Sequence, residues 1–211
     1  MSEVDVLADI LKERFGDVVI RDDYGWPGNT AVSVLDCVMS LHRNYDHVVF
    51  PRVQAFALRH PDVTELPHLQ ALLREYKEVG QFSIAKLNYN DVRREQTLRD
   101  VVDYLRGAQA RNVGKTEWER LKAWAHSVRP GDFMSVGVKG FGLSGFQYLR
   151  MLFGVQTTKP DVHVMRFVSE AVGRSVDDKT ALLLLEKAAE QANLPVREVD
   201  GAIWEAGARQ V

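Results

Sequence analysis

The sequence predicts an all-α protein. Apolar residues recur at three- and four-residue spacing along most of the chain, start and stop signals for helices punctuate it, and no stretch of useful length alternates as a strand would. Val4, Leu7, Ile10 and Leu11 form the first stripe, with Ser2 as its cap and Gly16 as its stop. Residues 22–29 (Asp-Asp-Tyr-Gly-Trp-Pro-Gly-Asn) are turn chemistry, and a second helix is expected from Thr30 to His42 through Val34, Leu35, Val38, Met39 and Leu41. Further helical patterns occupy 52–59, 65–76 and 90–106, joined by short connections at Pro61, Pro67, Gly107 and Pro130. Thr116 and Glu119 make a capping box ahead of Leu121, Ala123 and Trp124. There is no repeat and no low-complexity segment.

The chain has 211 residues, which suits one large domain or two small interlocked ones with a real core. Its hydrophobic content of 45 % excludes disorder as the dominant state. The longest aliphatic run, Ala181–Leu185, is far short of the roughly 20 residues a membrane span needs. The first residues do not follow the pattern of a signal peptide, so a cytoplasmic chain is expected. One cysteine, Cys37, excludes an internal disulfide and a four-cysteine metal or iron–sulfur site. The formal net charge of −2 hides a segregation: residues 28–174 carry 20 Lys+Arg against 15 Asp+Glu, and the two flanks 7 against 14. The most basic stretch runs through Arg129, Lys139, Arg150, Lys159, Arg166 and Arg174, which suits a phosphate backbone or simply a solvated face.

Two segments are more specific. In Val138-Lys139-Gly140-Phe141-Gly142-Leu143-Ser144-Gly145, two glycines flank one apolar residue and a helical stripe begins at once. Gly140 and Gly142 permit a tight hairpin and a close approach of another backbone. The following helix opens with unpaired N–H groups at its positive end, which suits a phosphate oxygen, with Lys139 adding a charge and Ser144 a hydroxyl. Farther on, Lys159-Pro160-Asp161-Val162-His163-Val164-Met165-Arg166 reads as a helix start, with Asp161 as either a cap or an acid facing a site. His163 fits a satisfied structural histidine, and Arg166 fits a partner for an acid or a phosphate.

Together the two segments resemble the helix-hairpin-helix superfamily of base-excision DNA glycosylases, endonuclease III-like enzymes included, over about residues 30–211. The family's hairpin has the form apolar-x-Gly-apolar-Gly, and its catalytic aspartate stands in a D-x-H-x-x-R context. The resemblance implies two helical subdomains with a cleft between them: a six-helix domain over 28–154 ending in the hairpin, and a discontinuous one formed by 1–27 and 155–211. It further implies double-stranded DNA as partner, a target nucleotide flipped from the duplex, and Asp161 as the catalytic residue that stabilises positive charge on the sugar. Lys139, Gly140, Gly142 and Ser144 would bind DNA, with a monovalent cation at the hairpin. A monomer is implied, in the cytoplasm and at the nucleoid if the source is bacterial.

The departures narrow this. Bifunctional relatives carry a lysine nucleophile just after the second hairpin glycine, where this chain has Ser144 in register; strand cleavage is not expected. The proline before the first hairpin glycine is replaced by Lys139, and the C-terminal four-cysteine cluster is missing, so no cofactor is required. His42 and Tyr45, after the second helix, are candidates for the substrate pocket, with Arg43 and Asn44 beside them. Asp36 reads as a half-buried, satisfied carboxyl, and the four tryptophans as core or interface. The expected function is a monofunctional glycosylase of DNA repair; a helix-hairpin-helix DNA-binding protein without catalysis is the alternative.

Overall fold

A computed structural model describes residues 1–208, and no strand occurs among them. The helices run in chain order as α1 (Glu3–Phe15), α2 (Thr30–Met39), α3 (Phe50–Arg59), α4 (Leu66–Arg74), α5 (Gln81–Leu87), α6 (Val92–Gln109), α7 (Glu117–Ser127), α8 (Phe133–Val136), α9 (Leu143–Leu152), α10 (Val162–Val172), α11 (Asp178–Ala192) and α12 (Val196–Ala208). A π-helical turn at Tyr45–Val49 leads into α3, and a 3-10 turn at Pro130–Asp132 into α8. None of these helices is long and apolar enough to cross a membrane.

The chain divides into two compact units, Asp23–Phe153 and the pair Met1–Asp22 with Gly154–Val211. The first joint falls five residues before the boundary drawn from the sequence, for a local reason. Gly25 packs directly on Leu152, and the Trp26 indole donates to Asp36, so the 23–27 turn belongs to the larger unit.

That unit holds eight α-helices, two more than the six read from the sequence. The additions, α5 and α8, span seven and four residues, too few for a periodic stripe to show. Gly107 is no connection: α6 runs through it to Gln109, because the neighbouring Leu105 and Ala108 are buried and tertiary packing outweighs the glycine's cost of about 1 kcal/mol. Pro67 lies within the first turn of α4, where a missing N–H costs no hydrogen bond. All ten residues of α2 are buried, and it packs on α3, α4, α6 and α9. Trp124 of α7 stands edge-on to Phe146 and Phe153 at 6.0 and 6.4 Å, with Tyr104 at 6.1 Å. Glu117 ties four stretches together, accepting from the Thr30 hydroxyl, Leu66 N–H (2.7 Å) and Gln109 Nε2 (2.8 Å) at the foot of α7.

In the smaller unit α1 lies along α11, and α10 and α12 pack on both. Leu7, Leu11, Val164, Leu185, Val199 and Ile203 are among its core residues. The expected caps are in place: Ser2 with Asp5, and in the larger unit Thr116 with Glu119, form reciprocal capping boxes.

Candidate functional site

In the hairpin, α8 ends at Gly137 in a left-handed conformation (φ +67°), and Gly140 is left-handed again at φ +82°. A β-carbon on Gly140 would meet only Thr97 Oγ1, at 3.5 Å, so the backbone conformation, and not crowding, asks for glycine there. Gly142 is extended and open, and it serves as the N-cap of α9. Between the two exposed glycines, Phe141 is buried and pins the turn to the core. Phe141 N–H donates to the Val138 carbonyl (3.2 Å), and the Thr97 hydroxyl of α6 donates to the Lys139 carbonyl (3.0 Å). The first intrahelical bond of α9 is Phe146 N–H to Gly142 C=O, and no side chain caps the turn. The amides of Leu143, Ser144 and Gly145 thus precede the helical ladder at the positive end of the helix. Lys139 is exposed and Ser144 half-buried.

Asp161 is the N-cap of α10. Its Oδ1 accepts from His163 N–H (2.9 Å) and Val164 N–H (3.2 Å), leaving Oδ2 outside the cap, and the residue is half-buried. His163 departs from the expectation of a satisfied histidine. Its Nδ1 is buried without a hydrogen-bond partner among the described residues, and a β-carbon on Gly207 would stand 2.5 Å from it. Arg166 is exposed and has no ion-pair partner among the described residues. The basic stretch is thinner than its sequence suggests. Arg150 is buried, donating to the Ala125 carbonyl (3.1 Å) and Gln147 Oε1 (2.8 Å), and Arg174 pairs with Glu3.

Sequence reasoning missed Asp200 of α12. It is 7 % exposed, and its Oδ1 accepts from the Thr158 hydroxyl and from Lys159 N–H at 2.8 Å. Burial pushes its carboxyl up to about 7; the Thr158 hydrogen bond opposes that, and the charge of Asp161 adds to it. A signal was present: a lone acid sits in the Val196–Val199–Ile203 stripe of an apolar helix face.

The pocket candidates in the larger unit fall differently from the sequence reading. The second helix stops at Met39, and His42 lies beyond it with a left-handed backbone (φ +52°) and an exposed side chain. Tyr45 is not free to stack on a base: its phenol donates to Asp36 Oδ2 (2.7 Å), and its ring leans on Phe50 at 6.2 Å. Asp36 is fully buried, not half-buried, and also accepts from Trp26 Nε1 (2.6 Å) and the Tyr148 hydroxyl (3.0 Å). Burial, then the Asp36 charge, raise both tyrosines above the usual phenol range, so both stay donors. Phe50, 40 % exposed, stacks on Trp26 at 6.3 Å and leaves an aromatic edge on the surface.

No curated protein and no solved structure matches the chain. A family model does match, over residues 17–208, most of its length. On that match the chain belongs to the family described as Domain of unknown function (DUF8548).

Proposed function

We propose that this protein is a monofunctional DNA N-glycosylase of base-excision repair, acting on a damaged or mismatched base in double-stranded DNA. The observation that carries the reading is the hairpin. A left-handed Gly140, a buried Phe141 and an open Gly142 deliver the chain to an uncapped helix start, which is what a phosphate oxygen needs. Lys139 and the Ser144 hydroxyl would add to that contact. Nineteen residues after Gly142, Asp161 caps α10 with one oxygen and keeps the other outside the cap.

In the proposed reaction the C1′–N bond breaks and its electron pair leaves with the base. Water oxygen bonds to C1′, and its proton passes to solvent or to the departing base. A fixed carboxylate at Asp161 lowers the energy of the oxocarbenium-like state and orients the water. Ser144 offers no amine for a Schiff base, so the product is an abasic site in an uncut strand.

One observation favours a second reading, a DNA-binding protein without catalysis: capping alone explains an aspartate at 161. Asp161→Asn separates the two, because asparagine caps as well as aspartate and the fold should survive. Base release is measured on a panel of lesion-bearing duplexes, with alkali used to reveal abasic sites. Release by the wild type, with a loss of about a hundredfold or more in Asp161→Asn and unchanged DNA affinity, is the expected result. No release from any duplex, with binding that still weakens steeply with salt, would replace the enzyme with the binder. Cleavage without alkali would refute the argument from Ser144.

A further inference from the structure

A buried carboxyl on the core face of α12 demands donors, and the two that Asp200 finds belong to the segment that delivers Asp161. Val199 and Ile203 beside it are wholly within the core, so solvent cannot serve it in their place. Lys159 is then held at both ends of its backbone. Its N–H donates to Asp200 Oδ1 at 2.8 Å, and its carbonyl accepts Asp161 N–H at 2.7 Å. Pro160, between Lys159 and Asp161, removes one more torsion. Neighbouring anchors fix the same stretch: Thr157 donates to Glu186 of α11 at 2.5 Å, and Gln156 to Glu198 of α12 at 3.1 Å.

We infer that Asp200 is a positioning residue, which sets the Asp161 carboxylate through the backbone of Lys159, hydrogen-bonded at both its N–H and its carbonyl. The inference rests on the glycosylase reading for its chemistry and on these hydrogen bonds for its geometry. The raised carboxyl of Asp200, to which the charge of Asp161 contributes, agrees with two acids within electrostatic reach of each other. The Asp161 cap by itself holds Oδ1 to the helix but leaves the helix start free to shift with the preceding segment. Asp200 removes that freedom by tying the segment to α12.

Asp200→Ala deletes the acceptor, whereas Asp200→Asn keeps an oxygen for Thr158 and Lys159. A displacement of about 1 Å at a catalytic group costs on the order of a hundredfold in rate. We therefore expect Asp200→Ala to lower kcat for base release about a hundredfold with KM and DNA affinity unchanged, and Asp200→Asn to restore most of it. Amide hydrogen exchange should speed up at Lys159 and Asp161 in Asp200→Ala and stay slow in Asp200→Asn. If Asp200→Ala does not fold, Thr158→Val, which removes only one of the two donors, should show the same kcat-specific loss to a smaller degree. Wild-type kcat in Asp200→Ala, beside an inactive Asp161→Asn, would overturn the inference while leaving the glycosylase intact. So would unchanged exchange at Lys159 and Asp161, or a rise in KM that accounts for the whole effect. A wild type that releases no base from any duplex would defeat the glycosylase reading and the inference with it, and it is distinguished by the inactivity of every variant and the wild type alike.

Discussion

Replacing Asp36 with alanine removes the acceptor shared by Trp26, Tyr45 and Tyr148, and the cost can be worked from their surroundings. Tyr148 is 9 % exposed and cannot turn to water, but its hydroxyl also contacts that of Tyr45, so one phenol can donate to the other. That leaves one phenol proton and the indole N–H without a partner, at about 1–2 kcal/mol each, since Trp26 and Tyr45 are only half-buried. The expected loss is about 2–4 kcal/mol, a large share of the roughly 5–15 kcal/mol that holds a typical domain folded. At about 2–4 °C per kcal/mol for a chain of this size, Tm falls by roughly 10 °C. Asp36→Asn should behave differently. Its oxygen can serve Trp26 and Tyr45, its amide can donate to the Tyr148 oxygen, and Tyr148 can pass its own proton to Tyr45. One of the two amide protons is placed by this scheme, so the loss is the charge-assisted strength, about 1 kcal/mol, plus the cost of the second N–H, and it should stay below that of the alanine variant. The assay is urea unfolding followed by tryptophan fluorescence, because Trp26 touches Asp36 itself. Equal losses in the two variants would show that charge, and not acceptor geometry, holds the cluster. An alanine variant as stable as the wild type would contradict this account altogether.

Other consequences follow from the hairpin and from Asp200. Gly140→Ala places a side chain at φ +82°, so a stability loss of about 1 kcal/mol is expected, whereas Gly142→Ala, extended and open, should fold as the wild type does. If a phosphate lies against the hairpin, Gly142→Ala should nevertheless weaken DNA binding in a titration at fixed salt; unchanged affinity would remove the hairpin from the interface. For Asp200 the sign runs against the usual carboxylate. Its pKa is pushed up to about 7 in the folded protein, against about 4 in the unfolded chain, so the native state holds a proton that the unfolded state has released. Its contribution to stability is full below about pH 4, is lost as pH rises toward 7, and is gone above it. Asp200→Asn should therefore gain on the wild type as pH rises, by up to about 1.4 kcal/mol for each pH unit across that range, read from urea midpoints. A constant difference between the two proteins would show that Asp200 titrates normally.

How much could be read in advance follows from the range of each interaction. Helices, caps and tight turns depend on residues within about four positions of one another, so the Ser2 cap, the Thr116 capping box, the Gly140–Gly142 turn and a helix start at Asp161 were visible in sequence alone. The same locality explains the errors at the edges. Four- and seven-residue helices carry too little period to detect, and packing around Leu105 and Ala108 carried α6 through a glycine that otherwise reads as a stop.

What the polar side chains do was set by the fold, because their partners lie on other elements or beyond the reach of a local pattern. Tyr148 reaches Asp36 across 112 residues, and Asp200 reaches Lys159 across 41. Arg150 reads as a surface cation but donates to the carbonyl of Ala125, and Tyr45 reads as a stacking platform but gives its hydroxyl to Asp36. A buried carboxyl or guanidinium is stable only where the fold brings it compensating partners, and no local pattern records which ones arrive. The residue pattern alone specified an all-helical chain with a glycine turn ahead of one helix and an aspartate at the start of another. Tertiary packing then gave one buried acid three aromatic donors, one of them 112 residues away, and made another hold the backbone leading to Asp161.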